Sequence, residues 1–158
     1  MPILTWLEES GNDGMKRYTH LTVYTDGASR GNPGLAASGI HMVDETTSET
    51  VIDLGFPLGI ATNNVAEYQA VLHAVEWLLA HQELLADEIH IRFRLDSQLV
   101  VSQLSGLWEI KDPKMQQLAG EVKAHLRQLP GTHTFDLIPR EENRYADRLA
   151  NDTLDKGG

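Results

Sequence analysis

Hydrophobic and polar positions alternate with period two along HLTVYTD. Leu21, Val23 and Thr25 fall on one face and Thr22, Tyr24 and Asp26 on the other, which predicts a strand ending at Asp26. The next segment, GASRGNPG, has the composition of a turn. Two further extended runs, about residues 35–43 and 49–57, flank the polar DETTSE, and this spacing predicts antiparallel hairpins. The period then changes. Val71, Ala74, Val75 and Leu78 recur at helical spacing and predict a helix over 63–81, capped by Thr62 or Asn63. Period two returns in EIHIRFRLD, where Ile89, Ile91, Phe93 and Leu95 alternate with polar neighbours. A short helix from about Ser97, a second over 113–128 opening at Asp112-Pro113, the strand HTFDLIP and a helix over 141–155 complete the pattern. Three strands in succession, then alternating helices and strands, predict an α/β fold: a mixed sheet with helices packed on it.

Composition narrows this picture. The 158 residues fit one domain, preceded by a polar lead-in rich in Gly, Asn and Asp near residues 8–17. Thirteen Lys and Arg against 23 Asp and Glu give a net charge of −10. Such a chain is a poor non-specific nucleic-acid binder, so any nucleic-acid reading needs a local positive surface or bound cations. The absence of cysteine excludes disulfides, thiol catalysis and thiolate zinc sites. No apolar run approaches the roughly 18–20 residues of a membrane span. The N-terminal MPILTWLEESGNDGMKR carries acids where a secretory signal carries bases. The expectation is a soluble, cytoplasmic protein with no membrane association.

Four acids stand where fold alone would not put them. Asp26 and Asp96 each end a strand. Glu67 lies four residues before Val71 and seven before Ala74, on the buried stripe of its own helix; Asp147 lies three before Ala150 and seven before Leu154. Singly, each has an ordinary reading: a turn or cap for the aspartates at strand ends, a first-turn acid favoured by the helix dipole for Glu67, a solvated face for Asp147. Together they read differently. Clustered carboxylates repel, burying one is costly, and cations relieve both effects. Oxygen ligands of this kind suit Mg²⁺ or Mn²⁺. The spacing allows two strand ends and two helix faces to converge at one sheet edge, without requiring it. Two ions about 3.5–4 Å apart could activate a water and stabilise a leaving oxygen in phosphodiester hydrolysis.

YTDGASRGNPG, ATNNVAEYQAV, RLDSQLVVSQL and PREENRYADRLAN, in this order and each carrying one acid, resemble type 1 ribonuclease H over residues 20–155. Residues 1–19 have no counterpart in that resemblance and form a lead-in of unassigned role. The resemblance implies a ribonuclease H-like mixed five-stranded sheet with flanking helices. It also implies hydrolysis of the RNA strand of RNA–DNA hybrids with two Mg²⁺ ions, or Mn²⁺ as substitute; separately, a monomer is expected. Its metal-binding acids would be Asp26, bridging both ions, Glu67 and Asp96, serving mainly the ion near the leaving group, and Asp147, serving the ion that holds the attacking water. Asn32, Asn63 and Gln98 match positions that contact the hybrid in its minor groove, Gly31 in the turn would let the backbone approach the RNA closely, and Thr62 matches a position that helps bind a DNA-strand phosphate. Amides both donate and accept, which suits reading a 2′-hydroxyl.

The chain departs from that pattern in two places. Many relatives carry a histidine in the loop before the last helix; here the loop is IPREEN, and Arg140 is the candidate to contact the scissile phosphate or assist release. A surface pairing of Arg140 with Glu141 or Glu142 is the plainer alternative. Many relatives also carry a basic, tryptophan-rich protrusion, replaced here by SGLWEIKDPK. Trp108, Lys111 and Lys114 could keep part of its grip, with Trp108 equally able to be core, and hybrid binding is expected to be weaker and salt-sensitive. Two other classes remain at this point. One is a different metal nuclease on the same architecture, such as a junction resolvase, an exonuclease or an enzyme also cutting double-stranded RNA. The other is a non-catalytic binding module, which the full set of acids disfavours.

Overall fold

A computed structural model of the chain describes residues 17–157. Most of the lead-in expected over residues 1–19 lies outside the described residues. The elements are β1 (Tyr18–Gly31), β2 (Gly34–Asp44), β3 (Glu49–Ala61), α1 (Asn63–Ala80), β4 (Leu85–Leu95), α2 (Gln98–Leu104), α3 (Pro113–Leu126), β5 (Thr132–Leu137) and α4 (Arg144–Gly157). They build one five-stranded sheet in the order β3-β2-β1-β4-β5. The β1–β2 and β2–β3 pairs are antiparallel, and the β1–β4 and β4–β5 pairs are parallel. The mixed sheet expected from the order of strands and helices is therefore present.

The two faces of the sheet differ, as the alternation along β1 and β4 demands. On one face Leu21, Val23, Ile40, Met42, Ile89, Ile91, Phe93 and Leu95 are fully or almost fully buried against Tyr68, Val71, Val75 and Leu78 of α1, with α3 packed on α1. The other face carries Thr22, Tyr24 and Asp26 of β1 beside His41 and Gly39 of β2 and Arg92 and Arg94 of β4. There α4 covers part of the sheet with Ala146, Ala150 and Leu154.

Strand β1 does not end at Asp26. It continues through GASRG, still paired with β2, until Gly31 meets Gly34, and only Asn32 and Pro33 make the turn. The turn-like composition has another cause. A Cβ on Gly27 would lie 2.2 Å from the carbonyl carbon of Ala66, so that glycine is what lets α1 approach the strand. Strand β3 likewise runs on to Ala61, past Pro57, because β3 is a sheet edge, where a missing N–H is tolerated. The last helix opens at Arg144 rather than 141, since Arg140–Glu142 form a separate 3₁₀ turn. Among the described residues, no helix is long and apolar enough to cross a membrane.

Candidate active site

Four elements deliver the acids. Asp26 is carried mid-strand on β1, with 6% exposure. Asp96 follows the last residue of β4, directly before the Ser97 cap of α2. Glu67 stands in the second turn of α1, whose start is fixed by Thr62 accepting from the Val65 N–H. The approach allowed by Gly27 brings Glu67 within reach of β1, and the Gly27 N–H donates to Glu67 Oε1 at 3.1 Å. Carboxylate oxygens of Asp26, Glu67 and Asp96 lie within 4.8 Å of one another. Asp147, exposed on the first turn of α4, lines the same cavity of about 320 Å³. Asn63 and Arg140 line it too. The convergence left open by the spacing is thus a tight trio with a fourth acid beside it.

The electrostatics follow from this crowding. Burial, then the charges of Glu67, Asp96 and Asp147, push the Asp26 carboxyl up to about 10. Burial and the charge of Asp96 push Glu67 up to about 8, against the opposing pull of the Gly27 N–H and the Arg140 guanidinium. Such a group of oxygen donors is unfavourable by itself and becomes favourable when divalent cations compensate it. The donor set therefore fits hard cations.

Arg140 Nε lies 3.6 Å from Asp96 Oδ2, with the side chain 92% exposed. Its ion pair is thus with a site acid. Glu142 faces Arg94 instead, at 3.9 Å. The residues expected to meet a substrate, Gly31, Asn32, Thr62, Asn63 and Gln98, are all exposed. Gly31 takes φ +107°, a conformation that favours glycine. Asn32 Oδ1 accepts from the Asn63 N–H at 3.1 Å, which ties the β1–β2 turn to the start of α1. Asn32 and Thr62 line a neighbouring groove of about 700 Å³ with Ile60, Asn64, Lys114 and Met115. Gln98 is exposed at the first position of α2. Trp108 is 45% exposed, so it is not a core residue; it lies in the eight-residue connection 105–112 between α2 and α3.

Asn143 is a site residue that the sequence concealed. It is 1% exposed, and its Nδ2 donates to the Thr25 carbonyl at 2.8 Å and to Asp96 Oδ1 at 3.3 Å, fixing that carboxylate against β1. Just before a helix an asparagine reads as a cap, and nothing in PREEN announces a partner 118 residues away.

A mixed sheet in this strand order, with an acid on its central strand facing acids from a neighbouring strand and a helix, is the ribonuclease H-like architecture. Comparison with known proteins agrees. The reverse transcriptase-like family pattern matches residues 24–153. A ribonuclease HI of Halobacterium salinarum is 42% identical over 135 residues, covering 84% of this chain and 63% of that protein. A Mycobacterium tuberculosis protein described as bifunctional is 36% identical over 135 residues, covering 85% of this chain. The chain spans only 35% of that mycobacterial relative's length. Among solved structures, RNase H1 from H. salinarum superposes with a TM-score of 0.79 at 37% identity, covering 87% of this chain and 98% of that one. LC11-RNase H1, solved in complex with an RNA/DNA hybrid, does so with a TM-score of 0.79 at 34% identity, covering 87% and 98%. The chain belongs to the type 1 ribonuclease H family.

Proposed function

We propose that residues 20–155 form a metal-dependent endonuclease that hydrolyses the RNA strand of RNA–DNA hybrids. The observation that carries the reading is the trio of carboxylates brought within 4.8 Å of one another, with Asp26 and Glu67 held at raised pKa. Acids held this close have little structural use without divalent cations. Bound there, two Mg²⁺ or Mn²⁺ ions would lower the pKa of an attacking water and stabilise the leaving oxygen. Asp26 would hold both ions, Glu67 and Asp96 the one on the leaving-group side, and Asp147 the one on the water side. None of the four needs to act as a general base. Asn143 keeps the Asp96 carboxylate aimed at the cluster.

Substrate choice is assigned to the surface beside the acids. Asn32, Asn63 and Gln98 offer amides to minor-groove base edges and 2′-hydroxyls, and Gly31 lets the RNA backbone approach closely. The Thr62 hydroxyl is offered to a DNA-strand phosphate. The hybrid complex of LC11-RNase H1, at 34% identity, supports this substrate class. Arg140, exposed and 3.6 Å from Asp96, is the cation able to meet the scissile phosphate or the product's 5′-phosphate.

A panel of RNA–DNA, RNA–RNA and DNA–DNA duplexes, incubated with Mg²⁺, with Mn²⁺ and with chelator, tests the reading. The expected outcome is cleavage of the RNA strand of the hybrid alone, lost on chelation. Cleavage that survives chelation would end the metal reading, and cutting of DNA duplexes would move the chain to another nuclease class. In the same assay Arg140→Ala is expected to lower turnover at saturating hybrid by at least tenfold; unchanged turnover removes Arg140 from the site.

A further inference from the structure

Asp147 is the least enclosed of the four acids, and it stands outside the tight trio. A carboxylate exposed on a helix samples several rotamers, and fixing one costs entropy. Here the neighbouring side chains fix it. Asn151, one turn along α4, donates its Nδ2 to Asp147 Oδ1 at 3.2 Å and to the Asp147 backbone carbonyl at 2.9 Å. An amide can present either end, so a further contact must select this one. Arg30, on the β1 arm of the hairpin, places Nη2 3.4 Å from Asn151 Oδ1 and 3.4 Å from the Asn151 carbonyl. A guanidinium has donors only, so it takes the oxygen end of the amide and turns the NH₂ end onto Asp147. Asp155 in turn holds Arg30, at 2.6 Å.

Asp147, Asn151 and Asp155 thus form an i, i+4, i+8 stripe on α4 facing one strand residue. Asparagine is among the less favourable residues inside a helix, and a bond back to the i−4 carbonyl is by itself a local feature. The contact with Arg30, 121 residues away in sequence, makes the arrangement tertiary. We propose that Arg30 and Asn151 are positioning residues for Asp147, selecting the rotamer that faces Asp26. The inference rests on the reading of Asp147 as a metal-binding acid. It adds an outer shell to that acid, of the kind whose loss typically costs 10–100-fold in metal affinity.

The test compares the parent with Asp147→Ala, Asn151→Ala and Arg30→Ala. Two quantities are read: Mn²⁺ binding to the free protein by calorimetry, and the Mg²⁺ concentration giving half-maximal cleavage at saturating hybrid. Asn151→Ala is expected to weaken both about tenfold while the KM for hybrid stays unchanged. Arg30→Ala gives the sharper sign. Removing a cation held by Asp155 and Asn151 should leave divalent binding unchanged or tighten it by simple electrostatics, whereas the relay predicts binding weakened by roughly three- to tenfold. Unchanged binding in Asn151→Ala, or unchanged or tighter binding in Arg30→Ala, overturns the relay. Should Asn151→Ala fail to fold, Arg30→Ala, altered at a half-exposed position, decides alone. If Asp147→Ala leaves binding intact, the functional assignment of Asp147 falls. If only Asp147→Ala weakens binding, the relay falls and that assignment stands.

Discussion

Asp26 shows what a single residue costs this protein. Its carboxyl ordinarily titrates at 3.8 and is raised to about 10; Glu67 is raised from 4.5 to about 8. Between those limits the folded state holds protons that the unfolded state has released. Stability in the absence of divalent cations is therefore greatest below pH about 4 as far as these groups decide it, and falls as pH rises toward 8–10. Asp26→Asn removes the largest part of that slope. With chelator present, the variant should melt higher than the parent at pH 8, by a margin that shrinks toward pH 5, while cleavage is abolished. Equal melting temperatures across that range would show that Asp26 is not strained by its neighbours. Mg²⁺ should raise the parent's melting temperature at pH 8 and release protons on binding, visible as a buffer-dependent heat. At this scale the three clustered acids were legible as breaks in the local pattern, although Asp26 stands mid-strand rather than at the strand end that drew attention to it. Asn143 and Asn151 were not, because each sits where an asparagine has a local explanation and its decisive partner lies far along the chain.

Among the elements, α4 lies across β1, β2 and β3 and carries the fourth acid of the site. It packs through small residues, with Ala146 and Ala150 fully buried, over a glycine on β2. A Cβ on Gly39 would lie 2.1 Å from the Ala146 carbonyl oxygen and 2.7 Å from the Ala150 nitrogen, both backbone atoms of a helix. Its first turn is pinned at the far edge. Tyr145 donates to Asp53 Oδ2 at 3.0 Å, and its ring stacks on His41, which meets Asp53 Oδ1 at 2.6 Å. Gly39→Ala should force α4 outward, costing about 1–3 kcal/mol by overpacking. It should also lower cleavage more than a core substitution of equal cost, because the helix carries Asp147. Denaturant unfolding and turnover at saturating hybrid measure the two effects, and a variant with parental stability would mean that α4 has room to shift. The helices and strands themselves were readable from their periods, but their ends were not. Glycines placed for close helix approach look like turn residues, so β1 was expected to stop at Asp26 when its pairing continues to Gly31.

For the molecule as a whole, the proposed function asks a protein with a net charge of −10 to bind a polyanion. The groove of about 700 Å³ beside the acids draws its lining from the β1–β2 turn, the end of β3, the start of α1 and the start of α3, and Lys114 is the cation in it. No segment of the sequence displays such a surface, because it exists only where four elements meet; this is why the acids were legible and the groove was not. Leu58, Ile60, Val65 and Met115 give the groove an apolar side, with Ile60 69% exposed, so contact with sugars can supply what charge does not. Few phosphates are then neutralised by the protein itself, and each such contact carries a large share of the electrostatic attraction. Lys114→Ala, made in an Asp26→Asn background so that the hybrid survives, should weaken hybrid binding at low salt. It should also reduce the slope of log K against log salt by about one. A slope equal to that of the Asp26→Asn parent would mean that the DNA strand does not pass over Lys114, and the groove would then have to be removed from the substrate path, whatever becomes of the acids.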